Sequence, residues 1–151
     1  GDELYIARYI LQRLSEKYNI IINIEPKPVL GDWNGSGCHT NYSTQLMREG
    51  SPDLEKTGLE YINEAVEKLS LNHTDHMDIY GTGNELRMTG KHETASFDNF
   101  SYGVGNRGAS IRIPNTTVEN KCGYFEDRRP SSNMDPYLVT AKLFKTTVLD
   151  I

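Results

Sequence analysis

Along residues 2–18 the apolar positions recur at helical spacing. Ala7, Ile10 or Leu11, Leu14 and Tyr18 form one stripe, and Asp2 stands where a cap would be, so the spacing predicts a helix over 2–18. The run NIIINIEPKPV that follows is rich in β-branched residues and closes on two prolines, which predicts a strand leaving into a turn. After Gly37, CHTNYST reads as a strand with His39, Asn41 and Ser43 on one face and Cys38, Thr40 and Tyr42 on the other. Residues 57–72 predict a second helix, with Ile62, Ala65, Val66 and Leu69 inward and a supporting Glu64→Lys68 pair. HMDIY predicts a short strand and YGTGN a turn. ASIRIP alternates as a strand, Ser110 and Arg112 on one face, and stops at Pro114. Residues 135–148 predict a final helix, with Asp135 as cap, Pro136 in the first turn, and Leu138, Ala141, Phe144 and Val148 inward. Residues 89–108 are polar and glycine-rich without a period, a length that in a compact domain marks a functional or disordered loop. Helices and strands without a regular βαβ alternation, and no internal repeat, give an α+β class.

Composition narrows the picture. A chain of 151 residues is one domain with a real core. A net charge of −5 argues against a general nucleic-acid binder, since the one dense basic spot, Arg128–Arg129, is balanced by Glu126–Asp127. No apolar run approaches a membrane span. The amphipathic, charged opening residues are unlike a signal peptide, so a cytoplasmic location is expected. Cys38 and Cys122 are then expected as free thiols, and the sequons at Asn41, Asn72, Asn99 and Asn115 as chance matches in a chain rich in Asn, Ser and Thr.

The candidate chemistry begins at GDWNGSGCHTNYS, residues 31–43. The glycines allow the backbone to approach a ligand, and the following strand presents an imidazole, an amide and a hydroxyl on one face. Such a face can hold a metal through His39 and a polar or anionic ligand through its neighbours, although one histidine alone is more often a hydrogen-bonded core residue. Residue types alone read Arg112 as a solvent-facing strand residue and Glu93 as one more loop acid. A run such as Glu126-Asp127-Arg128-Arg129 is ordinarily a solvated cluster, but the flanking Tyr124, Phe125 and Pro130 point to partial burial, where unpaired charges are costly. His73 and His76 have the spacing of a metal pair and are read as capping or surface groups; His92 is read as structural.

Four segments, KPVLGDWNGSGCHTNYST, LRMTGKHETAS, GVGNRGASIRIP and GYFEDRRPSSNMDPY, resemble eukaryotic-type glutamine synthetase in its chain order and together span nearly all of the sequence. The tail KLFKTTVLDI matches poorly. The resemblance implies that residues 1–151 are the C-terminal half of a catalytic domain related to that of the guanidino kinases, an antiparallel sheet with helices, with the N-terminal β-grasp domain absent. It implies ATP-dependent ligation of ammonia to the side-chain carboxylate of glutamate through a γ-glutamyl phosphate, with two or three Mg2+ or Mn2+ ions in the complete enzyme. His39 and Glu126 correspond to metal ligands. Asn34, Gly35, Arg87, Arg107 and Arg128 correspond to glutamate contacts. Asn41, Ser43, Arg107, Arg112 and Tyr124 correspond to ATP contacts, and Glu93 and Arg107 to catalytic groups, Glu93 being the lid residue that takes a proton from ammonium. The partners implied are glutamate, ammonia, ATP, the missing N-terminal half and further copies in stacked pentameric rings. Because further metal carboxylates would precede residue 1, the isolated chain is expected to be inactive. The alternative is a non-catalytic nucleotide-binding or interaction module on the same fold.

Overall fold

A computed structural model describes residues 1–150. The first helix, α1 (Asp2–Tyr18), forms as the spacing predicts, but Gly1 is its cap and Asp2 lies inside the first turn, where its carboxylate faces the positive end of the helix. The expected inward stripe is not buried. Ala7, Ile10, Leu11, Leu14 and Tyr18 are exposed, and Ser15 is the buried residue. The helix instead meets the rest of the chain through Tyr5, stacked on Tyr137 at 5.8 Å, and Arg8, which donates to the carbonyls of Ser132 (2.7 Å) and Met134 (2.9 Å). Residues 19–29 form no strand: Ile20, Ile21 and Ile24 are exposed, and β-propensity without a neighbouring strand does not make a ladder.

The sheet has four short strands, β1 (Thr40–Tyr42), β2 (Tyr102–Val104), β3 (Ile111–Ile113) and β4 (Phe125–Asp127), in the order β1-β4-β3-β2. β4 runs antiparallel to both of its neighbours, whereas β2 is parallel to β3, so the sheet is mixed rather than antiparallel. β2 lies within the segment read as a loop, and β4 within the charged cluster. Across β1, β4 and β3, Asn41 faces Glu126 and Glu126 faces Arg112, which puts these three side chains on one face.

The helices behind the sheet are α2 (Gln45–Glu49), α3 (Gly58–Leu71), α4 (His73–Met77), α5 (Asn115–Asn120) and α6 (Pro136–Phe144). α3 opens on a full capping box: Thr57 accepts from the Glu60 N–H and the Glu60 carboxylate accepts from Thr57 N–H. Ile62, Ala65, Val66 and Leu69 are buried, as their spacing requires. Glu64 pairs with Lys56, however, and Lys68 with Asp150 at 2.7 Å, so the expected Glu64→Lys68 pair does not form. HMDIY is helix and turn rather than strand. α6 is capped by Asp135, and its chain continues as a wide turn over Lys145–Leu149. Its inward residues are Val139, Leu143, Thr146 and Thr147, while Leu138, Ala141, Phe144 and Val148 face out. The two threonines can be inside because Thr146 Oγ1 meets His76 Nε2 at 2.9 Å and Thr147 donates to the Leu143 carbonyl at 2.7 Å.

Between sheet and helices the core of Ile62, Leu69, Ile111, Phe125, Val139 and Leu143 surrounds a polar network. Asp127 and Arg129, both 0% exposed, form a bidentate pair, with Arg129 Nε 2.9 Å from Oδ1 and Nη2 2.8 Å from Oδ2. The Tyr80 hydroxyl donates to Asp127 Oδ2 at 2.7 Å and lies 2.6 Å from His76 Nδ1, and Arg129 Nη1 lies 3.1 Å from His73 Nδ1. His73 and His76 are therefore buried, not capping or surface groups: Phe97, Phe100 and Arg129 meet His73, and Tyr80 and Thr146 meet His76. Burial would raise the Asp127 carboxyl, but the charge and hydrogen bonds of Arg129 hold it below its ordinary value. Burial, reinforced by the Arg129 charge, pushes His76 down to about 3.

Two outcomes are expected. Arg129→Met, which leaves Asp127 buried and unpaired, should cost about 3–5 kcal/mol of stability, and Asp127→Leu/Arg129→Met less than Arg129→Met alone, both read by urea unfolding. The unfolded chain binds a proton at His76 below its ordinary pKa of about 6.5, and the folded chain does so only near 3. Loss of the Asp127 contribution adds to this as pH falls through its depressed folded pKa. Stability should therefore decline as pH is lowered from about 6.5, and His76→Gln should flatten the upper part of that decline.

Candidate functional site

The residues around β4 converge on one carboxylate. Glu126 Oε2 accepts from Arg112 Nη1 at 3.1 Å, and Oε1 from Arg128 Nη1 at 3.0 Å. His39 Nδ1 lies 3.0 Å from the same Oε1 and 3.4 Å from Arg128 Nη1. These contacts select alternative tautomers: Nδ1–H donates to Glu126, whereas only a bare Nδ1 accepts from Arg128. The strand is shorter than the CHTNYST read from the sequence, Thr40–Tyr42, with His39 and Ser43 just outside it; His39 and Asn41 are more exposed than Thr40 and Tyr42, as the alternation predicts.

Burial, then the positive charge of Arg128, holds His39 below its ordinary pKa. Burial would raise Glu126, but the hydrogen bond from Arg112 and the charge of Arg128 outweigh it and hold the carboxyl down. Near neutrality the imidazole is thus neutral and the carboxylate ionised, which are the forms that bind a cation. Among the described residues no set of three His, Cys, Asp or Glu side chains lies close enough to hold a metal ion. His39 and Glu126, 3.0 Å apart, are two side chains of the types that coordinate divalent cations. Arg112 Nε is a buried N–H with no partner, a donor of the kind a phosphate oxygen would satisfy.

A cavity of about 150 Å³ opens beside these groups, lined by Asn34, Gly35, Gly37, His39, Arg87, His92, Glu93, Thr94 and Arg128. Arg87 forms part of its wall and is 5% exposed. Its Nε donates to Asn84 Oδ1 (3.0 Å) and its Nη2 to the Arg129 carbonyl (2.7 Å). Burial and the Arg128 charge lower its pKa to about 10, which still leaves it charged at neutral pH. The nearby glycines answer to this side chain. A Cβ at Gly35 would overlap Arg87 Cγ, and one at Gly37 would lie 2.8 Å from Arg87 Nη1. Close packing on Arg87, beyond access for a ligand, therefore requires glycine there.

Glu93 and Arg107 stand at the mouth, 3.5 Å apart and both well exposed. The Glu93 carbonyl accepts from Arg128 Nη2 at 3.0 Å, and the Arg107 carbonyl accepts from Arg128 Nε at 3.1 Å, so Arg128 ties both loops to β4. Ser43 and Tyr124 do not line the cavity. The Ser43 hydroxyl donates to the Gly123 carbonyl at 2.6 Å, next to Tyr124 at the far end of the β1–β4 pair. Thr94, His92 and Asp32 belong to the neighbourhood and were not marked as site residues by the sequence; their adjacency to Glu93 and Asn34 was the available signal. His92 Nε2 lies 2.9 Å from Asp32 Oδ1.

Guanidinium groups, a shared carboxylate, an imidazole and a small polar cavity define a site able to take an anion and part of a cation's coordination. Comparison of the whole sequence with known proteins shows what the chain is similar to. The chain is 53% identical over 149 residues to the cytosolic glutamine synthetase isozyme of Pinus sylvestris, covering 99% of this chain and 40% of that protein. It is 54% identical over 150 residues to glutamine synthetase of Suillus bovinus, covering 41% of it, and 56% identical over 149 residues to the chloroplastic enzyme of Oryza sativa subsp. japonica, covering 33% of it. No protein-family model matches the chain. Over 99% of its length the chain is similar to glutamine synthetases, and it spans about two-fifths or less of the length of these curated relatives.

The arrangement makes a direct forecast. Glu126→Gln removes the anion that engages Arg112 and Arg128, so inorganic phosphate should bind about threefold more tightly without metal, the scale of one partly exposed ion pair. Mn2+ binding should fall in the same variant. Titration calorimetry of each ion measures both.

Proposed function

We propose that this chain supplies the phosphate-facing part of a glutamine synthetase active site, within the C-terminal half of the catalytic domain, for the ATP-dependent ligation of ammonia to the side-chain carboxylate of glutamate. The observation that carries the reading is the convergence of His39, Arg112 and Arg128 on Glu126 beside a cavity walled by Arg87, in a chain whose relatives are glutamine synthetases.

The reaction balances in two steps. The γ-phosphoryl group of ATP passes to an oxygen of the glutamate side-chain carboxylate, and ADP leaves. The nitrogen of ammonia then attacks the acyl carbon, the bond from carbon to the phosphate oxygen breaks, and phosphate departs as hydrogen phosphate with the proton that the attacking nitrogen sheds. Arg112 and Arg107 offer planar guanidinium donors to the phosphoryl oxygens in both steps. Arg128, Asn34, Gly35 and Arg107 hold the glutamate, and the buried charge of Arg87 supplies a fixed positive field beneath it. Asn41, Ser43 and Tyr124, ranged along the β1–β4 pair, meet the nucleotide. Glu93 attracts ammonium and takes its proton onto a carboxylate oxygen, leaving the nitrogen lone pair free to attack. His39 Nε2, free when Nδ1–H donates to Glu126, and a Glu126 oxygen would hold Mg2+ or Mn2+. A bound ion supplies charge neutralisation to the phosphate groups.

Two donors hold a cation loosely, so the reading requires the rest of the ligand set and the N-terminal half of the enzyme, assembled with further copies of the chain as a homo-oligomer. No helix among the described residues is long and apolar enough to cross a membrane. The cytosolic isozyme among the relatives favours a cytoplasmic location, although chloroplastic relatives match equally well. The two-donor count also favours a second reading, a nucleotide-binding or interaction module without catalysis.

The test is Mn2+-dependent γ-glutamyl transfer. The chain alone should show none, and activity should appear on mixing with a polypeptide carrying the remaining length of a relative such as the Suillus bovinus enzyme. Losing several groups that act as a unit removes nearly all activity rather than a share. No recovery on mixing, with ADP binding retained by the chain, would favour the module. Activity from the chain alone would overturn the incomplete-site reading.

A further inference from the structure

The mouth of the 150 Å³ cavity has two lips. One is the loop that carries Asn34, Gly35 and Gly37; the other carries His92, Glu93 and Thr94. Among the described residues, one side-chain hydrogen bond crosses between these lips, His92 Nε2 to Asp32 Oδ1 at 2.9 Å, joining positions 60 apart in sequence.

The second lip is held in a disfavoured backbone. His92 and Glu93 have φ of 54° and 58°, consecutive left-handed conformations in residues that are not glycine. Such conformations persist where the surroundings over-determine them. Three fixtures are present. Thr94 closes the turn onto the Lys91 carbonyl through its N–H (3.1 Å) and its hydroxyl (2.7 Å). Arg128 Nη2 holds the Glu93 carbonyl. The Asp32 contact fixes the His92 ring. The first and second act within the lip and on its inner side, and the third alone ties it to the opposite loop.

We propose that Asp32 and His92 are positioning residues, a clasp that holds the two lips together and thereby keeps Glu93 over the cavity mouth. The inference deepens the reading of Glu93 as the group that receives ammonium. In that setting the clasp couples the loop that contacts glutamate to the loop that delivers the proton acceptor: drawing the first loop inward carries Glu93 with it. Without the clasp, Glu93 retains its carboxylate and its Arg128 anchor, but its lip is free to swing from the first loop. Asp32 is 91% exposed in its side chain, so its removal disturbs no packing and the effect is confined to the lips.

Amide hydrogen exchange of the segment 89–97, measured by mass spectrometry on the ligand-free chain, tests it. Asp32→Ala and His92→Ala should each speed exchange there by about fivefold, the value of one hydrogen bond. The double variant should exchange no faster than either single one, because both remove the same contact. His92→Gln, which keeps an N–H at similar reach, should stay within about twofold of the unaltered chain. Exchange over α3 should not change in any of them. Unchanged exchange at 89–97 in both alanine variants, additive effects in the double, or His92→Gln exchanging like His92→Ala would each overturn the clasp. Inorganic phosphate binding is measured in parallel. If the chain does not bind phosphate while the exchange results hold, the site reading fails and the clasp stands; if phosphate binds and exchange is unmoved, the reverse is true.

Discussion

The buried pair of Asp127 and Arg129 is the constraint on which the site depends. Two fully desolvated charges on alternate residues of one chain are tolerable only when each is met in good geometry, and here Arg129 grips both carboxylate oxygens while Tyr80 caps one of them. Strand alternation then dictates the rest. With Phe125, Asp127 and Arg129 turned into the core, Glu126 and Arg128 must turn the other way, toward His39 and Arg112. A slip of one residue in β4 would bury Glu126 and Arg128 without partners and expose Phe125. The inner pair thus fixes the register that makes the outer cluster possible.

Helix chemistry in the sequence was legible where the local signals agreed. Thr57 and Glu60 announce the start of α3, and the buried stripe follows at the expected spacing. Asp135 and Pro136 announce α6 equally well, but the inward face of its chain differs from the one the spacing predicts, because Thr146 and Thr147 are polar by composition and buried through hydrogen bonds to His76 and Leu143. α1 shows the complementary limit. Its period is helical, yet the period says nothing of whether a partner for the apolar stripe lies within these residues. The strand expected over 19–29 failed for a related reason, since a strand is a property of a pair.

The candidate site was legible in its parts and not in its arrangement. Asn41 and Arg112 do share a face across Glu126, and His39 and Asn41 are more exposed than Thr40 and Tyr42, but Ser43 and Ser110 lie outside the strands, Ser110 being fully buried. That β4 lies between β1 and β3 could not be read from residue type, because a strand spelled Phe-Glu-Asp looks like surface until Asp127 finds Arg129. Residue type reads His73 and His76 as capping or surface groups on the same ground: what buries them is a network joining Tyr80, four residues beyond His76, to Asp127 and Arg129, more than fifty residues on. The family resemblance named the site residues, while the glycines at 35 and 37 acquire a further reason, the Arg87 side chain packed against them.

An acidic chain that concentrates cations at one cavity raises the question of how the site keeps its sign. With a net charge of −5 the distant field is negative, but in physiological salt the influence of exposed charges fades over about 8 Å. The groups that lie nearer decide the local potential: Arg87, Arg112 and Arg128 against Glu126, and Arg107 against Glu93 at the mouth. Two of these arginines are buried, where screening is weak, whereas the acids elsewhere on the chain are mostly exposed. The cavity is therefore cationic because of where its charges sit, and Glu126 tempers that sign by engaging Arg112 and Arg128.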